Sequence, residues 1–261
     1  MVYIYIFISL FILFFLINNY ISIKYIEKFD DNIIFLNNHE LLEILLNNQD
    51  KYYDSFFEND FIARNIKNID EYKNLIKGSV SNFNNKQKNK IKKCIENADK
   101  YFSSLHLDWL DGNKMNKIKW IIGCIKGKYY ENGLPHTRNN IIIITSNERN
   151  LTRTLIHEKV HIYQKYYNDD IQKYINKNKF IKIKKRESFD NIRANPDLDN
   201  WIYKDHENKI YKALYNNNPV SIEDINYIPI NNQSYEHPYE KMAIEIENNY
   251  NIIDHHINKD H

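Results

Sequence analysis

The chain has 261 residues, 43% of them hydrophobic, and a formal net charge of +2. That length suits one large domain or two small ones, with ample apolar material for a core once the N-terminal segment is set aside, and one domain is the reading taken. The lysines are scattered among acids rather than gathered into a stripe, so no nucleic-acid partner is expected. Two cysteines, Cys94 and Cys124, rule out a disulfide scaffold and a thiolate metal cluster.

The chain is rich in Asn, Ile, Lys, Tyr and Phe and carries only five Gly and five Pro. That bias points to an AT-rich coding sequence, so Asn-rich runs are given little weight. The sequons Asn150-Leu151-Thr152 and Asn232-Gln233-Ser234 are read as chance for the same reason.

Met1 to Ile17 has no charged side chain, and with 18–23 the uncharged stretch just reaches the length of a membrane span. A basic leader and a small-residue cleavage site are missing, so residues 1–23 read as a single-pass anchor rather than a cleaved signal. Lys24 and Lys28 follow the span, which leans toward a cytosolic remainder without fixing the side.

Residues 24–116 are expected to be mainly helical. One helix starts over Asn38 to Leu46 and runs to Phe57, a second covers Tyr72 to Ile76, and a third covers Lys86 to Leu105 after a solvated, lysine-rich loop. From Lys117 the pattern turns strand-like: Ile118 to Ile122, a turn over Glu131 to Thr137, then the buried run Ile141 to Ile144. Thr145-Ser146-Asn147-Glu148 follows as a capping box that opens a helix.

That helix holds His157-Glu158-Lys159-Val160-His161. Residues four apart on a helix lie about 40° apart around the axis and about 6 Å along it, so the two histidines share a face. They can bind one Zn²⁺ per chain, with Glu158 beside the open coordination position as general base for a water. Leu151, Leu155, Ile156, Val160 and Ile162 form an apolar stripe beside them, which suits a cleft wall. In zinc peptidases of such an architecture, a sheet edge beside the helix often pairs with an extended substrate. His136, surplus as a ligand, is expected to brace its turn.

Asn168-Asp169-Asp170 punctuates the end of the active helix. Arg193 to Trp201 reads as a loop around Pro196, whose acids are candidates to orient a ligand histidine. In Tyr235 to Glu247, Pro238 suits the first position of a helix, placing Glu240 in its first turn as third metal ligand, with small Ala243 allowing close packing on the active helix. Glu236 and His237 are the rival ligands. Residues 251–261, with Asp254-His255-His256 and His261, read as a frayed polar tail.

These motifs resemble the zincin-type metallopeptidases, specifically the gluzincin arrangement. The set Gly133 to Thr137, His157 to His161, Asn195-Pro196-Asp197 and Glu236 to Ala243 is also similar to uncharacterised metallopeptidase-like proteins of large DNA viruses and protists. The resemblance spans Lys117 to Glu247; the first hundred residues carry none. It implies His157, His161 and Glu240 as zinc ligands and Glu158 as general base. Two features depart from the pattern. The spacing from His161 to Glu240 is far longer than in thermolysin, and the acid that gluzincins often carry four residues after the third ligand is here Ile244, with Glu247 or Asp197 as substitutes.

The expectation is therefore an α+β, zincin-like catalytic part over 117–250, preceded by helices and a membrane span, that hydrolyses peptide or protein substrates. Tyr163, Tyr239 and His136 are candidate donors to the oxyanion. The rival reading is a membrane-tethered structural or interaction protein with a coincidental motif. Oligomeric state is not legible.

Overall fold

The computed structural model describes residues 32–189, 191–228 and 235–257. The chain falls into two units, 1–34 and 35–261. Of the first, only 32–34 are described; the expected anchor lies outside the described residues. Among the described residues no helix is long and apolar enough to cross a membrane. A short strand, β1 (Ile33–Phe35), crosses the boundary.

The second unit is α+β. Helix α1 (Asn38–Asn47) opens on a capping box in which Asn37 accepts from the Glu40 amide and Glu40 reaches back. It stops far short of Phe57 because Asn48 turns left-handed, with φ 51°, and a 3-10 turn, Tyr52–Ser55, follows. Next come α2 (Glu58–Ala63), α3 (Ile69–Ser79), β2 (Val80–Ser81) and the long α4 (Asn85–Ser103), capped by Asn84 with Gln87. A small hairpin, β3 (His106–Leu107) with β4 (Leu110–Asp111), leads into α5 (Gly112–Lys117).

The larger sheet is built on β5 (Trp120–Ile125), β6 (His136–Arg138) and β7 (Ile141–Thr145). β7 runs parallel to β5, with Ile121 opposite Ile141, and antiparallel to β6, with Arg138 opposite Ile141. β2 pairs antiparallel with the end of β5, Val80 opposite Ile125. Ile141 and Ile143 join a buried cluster with Leu41, Leu45, Tyr72 and Ile76. Ile142 and Ile144, which alternate to the opposite face, are buried as well. Both faces of β7 are covered, which is why it reads as an unbroken apolar run.

The helix that carries His157 and His161, α6 (Leu151–Tyr166), begins later than the sequence suggests. Thr145 ends β7 and caps nothing; the N-cap is Asn150, left-handed and without a side-chain cap bond. The sequence reading also missed α7 (Asn168–Lys177) and a second, antiparallel sheet of four strands that pair in chain order. Its strands are β8 (Ile181–Lys185), β9 (Trp201–Lys204), β10 (Ile210–Tyr215) and β11 (Ile225–Ile228). The last helix, α8 (Pro238–Ile257), starts at Pro238 as expected but runs on through residues read as tail. Its Met242, Ala243 and Ile246 are fully buried, and it packs directly on α6.

Candidate metal centre

On α6, His157 and His161 turn their Nε2 atoms to within 3.1 Å of each other. Glu240, in the first turn of α8, brings Oε2 to 3.4 Å from His157 Nε2 and Oε1 to 3.7 Å from His161 Nε2. Two imidazoles and one carboxylate thus converge as a group able to hold a metal ion. Ligands about 2.0–2.1 Å from a tetrahedral centre lie about 3.4 Å from one another, so the spacing fits such an ion.

The other ring nitrogens are fixed from outside. His157 Nδ1 lies 3.0 Å from Glu247 Oε2, and Arg153 pairs with the other oxygen of that carboxylate at 2.6 Å. His161 Nδ1 lies 2.9 Å from Gln164 Oε1, whose amide nitrogen donates to the Tyr239 carbonyl at 3.0 Å. With each Nδ1 donating to an oxygen, each Nε2 keeps its lone pair toward the shared centre. Glu247, about one turn beyond Ile244 on α8, is thus the carboxylate that orients His157. Asp197, the other substitute considered, contacts neither histidine ring by hydrogen bond. Glu240 is steadied by the Asn195 amide at 3.1 Å.

Glu158 is 4% exposed and lines a cleft of about 270 Å³ together with Glu131, His136, His157, Asp197 and Glu240. Its Oε2 is buried and has no hydrogen-bond partner among the described residues. Burial first, then the neighbouring Asp197 and Glu240 carboxylates, raise its pKa well above the ordinary value. Burial opposes charge on Glu240 too, but His161 and His157 outweigh it and hold that carboxyl well below its usual range. Burial lowers His161. His157, although burial acts the same way, is raised by Glu240 and Glu247.

The rival ligands point elsewhere. Glu236 is buried against Arg193 and accepts from Asn195 at 2.9 Å. His237 places Nε2 3.0 Å from Asp199 and takes the Tyr239 amide on Nδ1. The loop acids likewise go to other partners: Asp197 to Thr137 and Asp199 to Tyr203, Tyr239 and His237.

None of the three expected oxyanion donors is free toward the cleft. Tyr163 donates to Asp170 at 2.6 Å, and Tyr239 donates to Asp199 at 3.3 Å. His136 does line the cleft, but its Nδ1 faces the Leu134 carbonyl at 2.9 Å and its Nε2 the Tyr130 hydroxyl at 3.2 Å. Burial lowers its pKa, and with both ring nitrogens engaged by Leu134 and Tyr130 it braces the turn. Gln164 and the glutamate-steadying amide of Asn195 were not read from the sequence. Gln164 lies three residues beyond His161, which is the one signal that could have found it.

No protein-family model, no curated protein and no solved structure matches this chain.

Proposed function

We propose that the chain is a zinc-dependent peptidase of the gluzincin type, tethered to a membrane by residues 1–23. One observation carries the reading: His157, His161 and Glu240 converge beside an unpartnered, buried Glu158 oxygen in a cleft. A donor set of two imidazoles and one carboxylate suits zinc in a site with an open position. When bound there, zinc supplies Lewis acidity that polarises a scissile carbonyl and makes a water molecule more acidic.

The side chains then have distinct tasks. His157, His161 and Glu240 hold the ion, and Glu247, Gln164 and Asn195 keep those three in position. Glu158 takes the proton of the attacking water on its carboxylate and delivers it to the leaving nitrogen. Burial that raises the basicity of this carboxylate favours that exchange.

The test has two parts. The purified full chain in detergent should hold close to one zinc per chain, and Glu158→Gln should retain that zinc while losing peptide hydrolysis, because the amide keeps the shape and lacks the base. A chain without stoichiometric zinc would overturn the reading and leave a structural or interaction protein, whereas a Glu158→Gln variant that cleaves as well as the parent would take the general-base role from Glu158.

A further inference from the structure

An exposed strand edge beside an active helix ordinarily lends its backbone to an extended substrate, which pairs as an added strand. Here β6 is the edge strand beside α6, and its first residue, His136, lines the cleft with Leu134 and Pro135 just before it. In a strand only alternate residues turn their backbone groups outward. The outward position in β6 is Thr137, since its amide donates to the Asp197 carboxylate at 2.8 Å instead of to β7. Its hydroxyl also donates to Asp197, and its carbonyl accepts from Lys165 Nζ at 3.4 Å. Thr137 is fully buried. The preceding position of the same alternation is Pro135, which has no amide to offer.

The segment that covers this edge is anchored. Asn195, Pro196 and Asp197 line the cleft themselves, and Ala194 before them is 4% exposed. The Ala194 amide donates to Asp60 Oδ1 at 2.9 Å, and Tyr52 donates to the Ala194 carbonyl at 3.4 Å. Asp60 is 1% exposed and paired with Arg186 at 2.6 Å. A loop fastened to a buried ion pair is a fixed wall.

Resting on the peptidase reading above, we infer that the substrates are short peptides or chain ends, gripped around the reacting bond and not laid along β6 as an added strand. A cleft of about 270 Å³ lies just below the usual range for ligand sites, about 300–1,000 Å³.

The experiment uses the zinc-loaded full chain and one peptide sequence extended from two to ten residues around a fixed cleavable bond. A second series carries N-methyl groups on amides away from that bond. The expected result is that kcat/KM levels off by about four residues and that N-methylation changes it less than about threefold. A rise of about tenfold or more between four and eight residues, with a matching loss on N-methylation, would overturn the inference while leaving the peptidase reading intact. Cleavage of no peptide in either series would remove both. A readout independent of turnover is amide hydrogen exchange at Thr137 in the Glu158→Gln chain, which should be slow and unchanged when the eight-residue peptide is added. Fast exchange that becomes slow with the peptide would show a strand being added, against the inference.

Discussion

At the scale of single residues, the choice among Glu236, His237 and Glu240 turns on what each side chain already satisfies. His237 spends both ring nitrogens on Asp199 and the Tyr239 amide, and Glu236 is committed to Arg193 and Asn195. Glu240 alone of the three faces the two histidines. Glu240→Ala should weaken zinc binding about as much as His161→Ala. Removing the Glu247 support through Glu247→Gln should cost about tenfold or more in affinity. His237→Ala should change zinc affinity little, and a large loss there with near-parental affinity in Glu240→Ala would make the centre a three-histidine one. Glu236→Ala separates stability from metal binding: it takes the carboxylate from the half-buried Arg193 guanidinium, which costs on the order of 2 kcal/mol of folding free energy. Chelator competition and urea melts on the same variants read both quantities.

At the scale of elements, the asparagines discounted as coding bias prove to shape the backbone. Of the ten non-glycine residues with positive φ among the described residues, seven are Asn: 48, 65, 132, 139, 150, 208 and 218. Asn37, Asn68 and Asn84 cap the starts of α1, α3 and α4. In a chain with five glycines, Asn is the next residue able to enter the left-handed region, because its short amide can bond locally. Composition hides this, since an Asn at a turn and an Asn on a solvated face look alike in sequence. The β6–β7 hairpin tests it. Asn139 sits at φ 53° in its two-residue turn, so Asn139→Ala should destabilise by about 1–2 kcal/mol while Asn139→Gly is neutral or stabilising. Equal effects of the two, measured by thermal melts, would remove the conformational explanation. What was legible follows the same logic. The Ile141–Ile144 strand, the shared face of His157 and His161 and the helix start at Pro238 rest on local periodicity and on proline. The strands of the second sheet are short; β8, Ile-Lys-Ile-Lys-Lys, does alternate, but over five largely exposed residues in a lysine-rich stretch, and β9 and β10 mix apolar and polar residues without a regular period.

At the scale of the whole second unit, the segment before Lys117 that resembled nothing holds the cleft wall in place. Arg64 donates from Nε and Nη2 to the two oxygens of Glu131 at 3.0 and 2.8 Å, and Tyr72 adds a bond at 2.5 Å. Through Asp60 the same network reaches Arg186 and the Ala194 amide. Its members lie far apart in the sequence, so no spacing could reveal their pairing. Burial pushes the Glu131 carboxyl upward, but Arg64 and the hydrogen bonds outweigh it and hold the pKa at about 2, against an ordinary value of 4.5. A carboxyl whose pKa is lower in the folded chain than in the unfolded one adds stability that is complete above the unfolded value. That stability drains away as pH falls toward the folded value. Between about pH 4.5 and pH 2, Glu131 should therefore give up on the order of 3 kcal/mol. Glu131→Gln should be markedly less stable than the parent at pH 7, where it takes the bidentate carboxylate from a buried guanidinium and leaves it only the more distant Asp60 carboxylate, and the gap should close as the pH is lowered through that window. Urea midpoints for the two chains at a series of pH values measure the difference directly, because acids common to both cancel. A gap that stays constant from pH 7 to pH 3 would mean that the Arg64–Glu131 pair is not what ties the first helices to the loop behind the candidate metal centre.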